Sequence, residues 1–203
     1  MTLYPVILPV DVAAQRLLGR EKVTALSDCA RQALRLSADR AGVALGELRK
    51  DGDDVPLPFG GYHWSVSHKP KYVAAIVGQG RMGIDIEEIR PRKENIFGYV
   101  AGSEEWRLFG GESWDSLSRC WTAKEAVLKS TGAGLAGLKS CRVADVQDDA
   151  DISLSFEGRL YKVAQMRLDG HVVAVLKNDN MVEWVVLDNS IAPKSELPLT
   201  HVA

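Results

Sequence analysis

The sequence has few cysteines and no strong charge of either sign. Its three thiols, Cys29, Cys120 and Cys141, are odd in number, widely spaced and without a C-x-x-C pair. That argues against a disulfide framework or a zinc site and fits a reducing compartment, so a cytoplasmic protein is expected. A formal net charge of -2, from 25 Lys and Arg against 27 Asp and Glu, supplies no global basic field for a phosphate backbone. With no local basic patch to replace it, nucleic acid is not an expected partner. Long hydrophobic runs are missing too: the most continuous, residues 73–77 and 172–176, fall far below the ~20 residues of a membrane-spanning helix, so no membrane partner is expected. Residues 2–12 are apolar but broken by Pro5, Pro9 and Asp11. Lacking a basic n-region and a small-residue cleavage pattern, they read as an early strand. What is present is 46% hydrophobic and 26% charged residues in a chain of 203. This is apolar material enough for one globular domain, or two small ones sharing a core, and lies outside the regime of disorder.

Ala25, Leu26, Cys29, Ala33, Leu36 and Ala41 recur mostly at steps of three and four, predicting an amphipathic helix over residues 23–43, closed by Gly42 or Gly46. A loop rich in Asp, Gly and Pro over residues 50–61 leads into a short strand, His63-Trp64-Ser65-Val66-Ser67-His68, and a turn at Lys69-Pro70. Residues 72–77 and 82–86, joined by Gly78-Gln79-Gly80-Arg81, read as a β-hairpin. Residues 171–176 and 181–187, joined by Lys177-Asn178-Asp179-Asn180, read as another. The hairpins overlay at an offset of 100 residues, with Val73, Ala74 and Ile76 on Val173, Ala174 and Leu176. Upstream, 31–37 overlays 124–130, which sets Gln32 against Glu125. A duplicated helix-then-hairpin unit fits this pattern, and so does chance likeness between short apolar hairpins. Between the halves, residues 95–111 read as a short amphipathic helix with Ser103 as N-cap, its aromatics serving core packing or a docking surface. The tail from residue 188 has little periodicity.

Three elements carry chemistry. In Gly83-Ile84-Asp85-Ile86-Glu87, acids alternate with apolar residues on a strand, so Asp85 and Glu87 share a face. Two carboxylates so placed suit a hard divalent cation such as Mg²⁺, or else form a solvated strand face. In Trp121-Thr122-Ala123-Lys124-Glu125-Ala126-Val127-Leu128-Lys129 a helix is expected. At about 100° per residue it groups Trp121, Glu125 and Lys129, with Lys124 on the border of that face. An exposed Glu125–Lys129 ion pair, contributing ~0.3–0.5 kcal/mol, is the plain alternative. In Ser65-Val66-Ser67-His68, a histidine beside serines at a strand end can donate to a phosphate or be an ordinary surface residue. The following Ser130-Thr131-Gly132-Ala133-Gly134-Leu135 lacks the spacing of a P-loop.

In this order and combination, over residues 56–138, these segments resemble the 4'-phosphopantetheinyl transferases, and most closely the longer, Sfp-type branch. The resemblance implies an α+β fold of two similar α+β halves forming a pseudodimer, with halves at 1–90 and 91–190 and a tail at 191–203. It implies transfer of the 4'-phosphopantetheine arm of coenzyme A to a serine of an apo acyl or peptidyl carrier protein, with Mg²⁺ as cofactor and a monomer as the working state. Carried over by motif, Asp85, Glu87 and Glu125 hold the metal, and Asp85, Glu125 and Lys129 are the catalytic group. Within that group, Glu125 is the candidate base and Lys129 the residue that neutralises phosphate charge. His68, Ser67, Lys129 and Lys124 are the expected contacts to coenzyme A. The usual basic stretch of the first helix is replaced here by Ser27-Asp28-Cys29-Ala30-Arg31. Arg31 is therefore the leading candidate for the 3'-phosphate, ahead of Lys22 and Arg35. The weighed alternatives are a noncatalytic coenzyme A or carrier-protein binding module, and a Mg²⁺-dependent phosphohydrolase, which the absence of an evident nucleophile disfavours.

Overall fold

The computed structural model describes residues 1–187, so the expected tail lies outside the described residues. Two short strands, β1 (Thr2–Leu3) and β2 (Val6–Pro9), flank Pro5 and precede a single turn, α1 (Val12–Gln15), and the long helix α2 (Gly19–Arg40). Gly42, at φ +68°, follows the end of α2 in the left-handed region open to glycine. Next come β3 (Tyr62–His68), β4 (Tyr72–Gln79) and β5 (Ile84–Glu88). The short helices α3 (Ile96–Val100) and α4 (Ser103–Leu108) lead to α5 (Trp114–Thr131). Ser113 and Ser116 cap α5 reciprocally at its N-terminus, and Gly132 (φ +76°) ends it. The remainder is β6 (Arg142–Val146), β7 (Asp151–Phe156), β8 (Arg159–Leu168), β9 (His171–Leu176), β10 (Met181–Val182) and β11 (Val185–Val186). Ser103 is the first residue of α4 rather than its cap; Gly102 takes the cap position, where its N–H donates to Glu105 Oε2.

The strands form a four-stranded sheet in the order β11-β2-β4-β3, a five-stranded sheet in the order β5-β9-β8-β7-β6, and a two-stranded β1-β10 pair. Helix α2 covers one face of the first sheet, where Leu26, Ala33, Leu34 and Ala38 meet Val73, Ala75 and Val77. Helix α5 covers one face of the second, where Ala123 and Val127 meet Ala174 and Leu176. Between the sheets lies a third cluster that includes Ile7, Ala74, Ile76, Ile84, Ile86, Val173 and Val175. Both apolar runs noted above are thereby explained. β4 and β9 are covered on both faces, so neither can alternate apolar with polar residues.

Neither expected hairpin forms. β4 pairs with β2 and β3, and the hairpin is β3–β4, turning at Lys69-Pro70-Lys71. The Gly80–Gly83 connection instead carries the chain across to the second sheet, where β5 pairs with β9. β10 and β11 likewise leave β9 and pair in parallel with β1 and β2. A turn-competent glycine connection permits a reversal without requiring one, and β5 gains more by burying Ile84 and Ile86 between the sheets, at ~1.5–3 kcal/mol per side chain. By sheet membership β5 belongs with the second unit, and the change falls between Gln79 and Ile84. The order strand, helix, hairpin then occurs twice, as β2-α2-β3-β4 and as β5-α5-β8-β9, the second with α3, α4 and β6–β7 inserted.

Candidate active site

Edge strand β3 of one sheet runs beside edge strand β5 of the other, and α5 lies across β5. The closeness of β5 to α5 is set by Gly83. A Cβ at that position would lie 1.8 Å from the Ala126 carbonyl oxygen and 3.1 Å from the Ser130 amide nitrogen, both backbone atoms. Because Ile84 and Ile86 turn toward the other sheet, Asp85 and Glu87 turn toward the helix. Both acids are buried, each 5% exposed.

Asp85 Oδ1 accepts from Ser67 Oγ at 2.7 Å and from Lys129 Nζ at 2.7 Å, so β3 and α5 both fix it. Lys129 Nζ also donates to the Ile84 carbonyl at 3.1 Å. Ser65 Oγ accepts from the Ile84 amide at 3.2 Å and ties the two edge strands together. Asp85 Oδ2 and Glu125 Oε1 are buried and have no hydrogen-bond partner. The Glu125 carboxyl is raised above its ordinary pKa by burial first, then by the negative charge of Asp85, with Glu87 adding to it and Lys129 and Lys69 opposing. Glu87 is engaged on both oxygens, by Lys69 Nζ at 2.5 Å and by Arg92 at 2.5 Å. Two buried carboxylate oxygens without protein partners are a donor set of the kind a hard dication takes. Among the described residues, no group of three or more His, Cys, Asp and Glu side chains is arranged to hold a metal ion.

Two clefts open on either side of Lys129. One, of about 480 Å³, is walled by α2 and β3 and lined by Arg31, Lys50, Trp64, Ser67, His68 and Lys129. The other, of about 420 Å³, is lined by Lys50, Asp53, Val66, Glu125, Lys129 and Gly132 among others. The His68 pKa is lowered by desolvation and by the cations Lys69, Lys129 and Lys50, so its ring is neutral near pH 7 and offers one N–H donor. Arg31 reaches the first cleft from α2 and makes a loose exposed contact with Asp28 at 3.5 Å; Lys22 and Arg35 do not line it.

The structure thus gathers Asp85, Glu87, Glu125, Lys129, Ser67 and His68 around one junction and sets Arg31 at the wall of the adjoining cleft. Lys124 does not join them. Its place in a contact to coenzyme A is corrected: it is fully buried on another side of α5, donating to the Val100 carbonyl at 2.8 Å and pairing with Glu105 at 2.8 Å. One residue of helix separates it from Glu125, and about 100° of rotation turns it into the core. Sequence reasoning missed Lys50, Lys69 and Arg92. Lys69 sat in an assigned turn and Arg92 in an unassigned Arg-Pro-Arg-Lys run, and a basic residue in a loop carries no signal of what it faces. A signal for Gly83 did exist, as a glycine interrupting the approach to an otherwise apolar strand.

A family model described as the 4'-phosphopantetheinyl transferase superfamily matches residues 81–176, the stretch holding β5, α5 and the second sheet. Over that stretch the chain is similar to the superfamily. It is similar to the 4'-phosphopantetheinyl transferase psf-1 of Bacillus pumilus, 27% identical over 112 residues, which cover 53% of this chain and 48% of the relative. A 4'-phosphopantetheinyl transferase of Bacillus subtilis is 26% identical over 121 residues, covering 57% of this chain and 53% of the relative. The chain therefore spans about half the length of these curated relatives. Among the described residues, no helix is long and apolar enough to cross a membrane.

Proposed function

We propose that the chain belongs to that superfamily and transfers the 4'-phosphopantetheine group from coenzyme A to a serine of an acyl or peptidyl carrier protein, releasing adenosine 3',5'-bisphosphate. The observation that carries the reading is the pair of buried, unpartnered oxygens, Asp85 Oδ2 and Glu125 Oε1, beside the Lys129 ammonium. They come from strand and helix elements that only the tertiary fold brings together. Asp85 and Glu125 would hold Mg²⁺, which when bound supplies Lewis-acid stabilisation of charge on the phosphoryl oxygens. Glu125 takes the proton from the serine hydroxyl as the serine oxygen bonds to the β-phosphorus and the bond from that phosphorus to the bridging oxygen breaks. Lys129 neutralises charge on the departing bisphosphate, and Ser67 orients Asp85 through its 2.7 Å hydrogen bond. The cleft of about 480 Å³ takes the nucleotide end, with His68 and Arg31 as phosphate donors. The two strand-helix-hairpin units act as a pseudodimer with the site at their junction, and the protein works as a cytoplasmic monomer.

The test is incubation of the purified protein with Mg²⁺, coenzyme A and a panel of apo carrier proteins, followed by intact mass. A gain of one phosphopantetheine on at least one carrier is expected, and no gain on any carrier type refutes the reading.

A further inference from the structure

Resting on that reading, we infer that Lys50 is a further binding residue, a cation held where the two clefts join and gripping a phosphate of the coenzyme that spans them. Lys50, Val66 and Lys129 are the residues common to the linings of both clefts. A ligand reaching from one cleft into the other passes these three side chains, and the two ammonium groups are the cations it meets there. They are not equally free. Lys129 Nζ has three acceptors, Asp85 Oδ1 at 2.7 Å, the Ile84 carbonyl at 3.1 Å and the Val66 carbonyl at 3.5 Å, as many as an ammonium has N–H bonds. Lys50 Nζ meets a single acceptor among the described residues, Asp54 Oδ1 at 3.5 Å. Those two side chains are 43% and 91% exposed, so water screens the pair and little is lost when a phosphate takes the place of Asp54.

The backbone that presents Lys50 is a built turn. Residues 49–57 fold back on themselves: Lys50 bridges Pro56 in antiparallel fashion, the Asp51 amide donates to the Val55 carbonyl at 3.0 Å, and the Leu57 amide donates to the Arg49 carbonyl at 2.9 Å. At the tip, Asp51 Oδ1 accepts from the Asp53 and Val55 amides, each at 2.9 Å. The returning arm is tied to β3, where the Trp64 indole N–H donates to the Leu57 carbonyl at 3.0 Å. Strand β3 also carries Ser67 and His68, so Lys50 is anchored to the strand that bears the other phosphate donors, and binding has only its side chain to order. Its charge is felt at the His68 ring together with those of Lys69 and Lys129. A lysine ammonium is a compact charge that meets phosphate oxygens from any direction, and coenzyme A offers two such groups, its diphosphate and its 3'-phosphate.

The experiment measures KM and kcat of the full chain for holo-carrier formation with coenzyme A and with 3'-dephospho-coenzyme A as donors, with thermal melts run alongside. Lys50→Met is expected to raise KM for coenzyme A about tenfold while kcat falls less than about threefold, because a contact made equally in ground and transition states shows in KM. Its melting temperature should stay within about 2 °C of wild type, since the pair it breaks is solvated. Lys50→Arg keeps a cation in place and should return KM to within about threefold of wild type. Arg49→Met removes a neighbouring cation that pairs with Glu47 at 3.5 Å and lines neither cleft, and should leave KM within about twofold. A rise of equal size on both donors puts Lys50 on the diphosphate, and a rise on coenzyme A alone puts it on the 3'-phosphate. A Lys50→Met KM within about twofold of wild type on both donors, or a rise that Arg49→Met matches, overturns the assignment while leaving the transfer reading standing. Wild-type protein that uses neither donor overturns both.

Discussion

Replacing Gly83 with alanine tests whether the spacing of β5 and α5 builds the site. Gly83 does not have a positive φ, so alanine is conformationally allowed there and, by restricting the unfolded chain, would by itself stabilise the protein by ~0.4–1 kcal/mol. Space decides the sign instead. The new Cβ would lie 1.8 Å from Ala126 O and 2.8 Å from Ala126 C, where real contacts essentially never fall under 3.0 Å, and backbone atoms cannot swing aside as a side chain could. The strand and helix must separate by more than an ångström. Overpacking of this kind costs ~1–3 kcal/mol, and for a chain of this size each kcal/mol lowers the melting temperature by about 2–4 °C. A net fall of up to about 10 °C is expected by calorimetry. Activity should suffer more than stability. Asp85 rides on β5 and Glu125 on α5, and a 1 Å misplacement of reacting groups costs on the order of 100-fold. The assay is the initial rate of holo-carrier formation by intact mass, at a temperature where the variant is fully folded. A variant melting at or above wild type with an undiminished rate would refute the argument that this close approach forms the site.

Three further outcomes follow. Lys124→Met leaves the largely buried Glu105, its side chain 13% exposed, without its cation and should destabilise the chain by up to ~3 kcal/mol in urea unfolding, with Lys124→Met/Glu105→Gln recovering part of the loss; equal stability of the single variant and wild type would refute the pair's contribution. Because the Glu125 pKa is raised by folding, the native state holds that proton more tightly than the unfolded chain does. Its contribution destabilises above the raised value and disappears below the ordinary value of 4.5. Metal-free Glu125→Gln should therefore exceed wild type in stability near neutral pH and match it below pH 4.5; a variant less stable than wild type at neutral pH contradicts this. The His68 ring should titrate by NMR below its ordinary 6.5 in the free protein, and move upward when the phosphates of coenzyme A enter the cleft; a free-protein midpoint at or above 6.5 defeats the lowering ascribed to its burial and its cationic neighbours.

Much of the site was legible in the chain because its parts are local. Period-two alternation sets Asp85 and Glu87 on one face of a strand, and helical periodicity sets Trp121, Glu125 and Lys129 on one face of a helix. Those patterns depend only on backbone geometry, and the structure keeps both. The long helix ending at a glycine was legible for the same reason. Lys124 failed because periodicity gives angles between side chains and not which angle faces the core; the partner that claims it, Glu105, comes from another helix.

What the sequence by itself determined is the set of elements and the chemistry each presents: acids on a strand, an acid and a lysine one helical turn apart, serines and a histidine at a strand end. What the tertiary structure decided is which elements meet. The glycine connection after β4 is compatible with a reversal or a crossing, and local turn energies are too small to choose. Burial of Ile84 and Ile86 between two sheets makes the choice and brings β5 under α5. The same crossing gives different surroundings to two acids that look equivalent in the chain, since a cation from the β3–β4 turn and another from beyond β5 reach Glu87, while Asp85 keeps an oxygen without a partner. Long-range contacts of this kind depend on side chains far apart in sequence, and no local pattern encodes them.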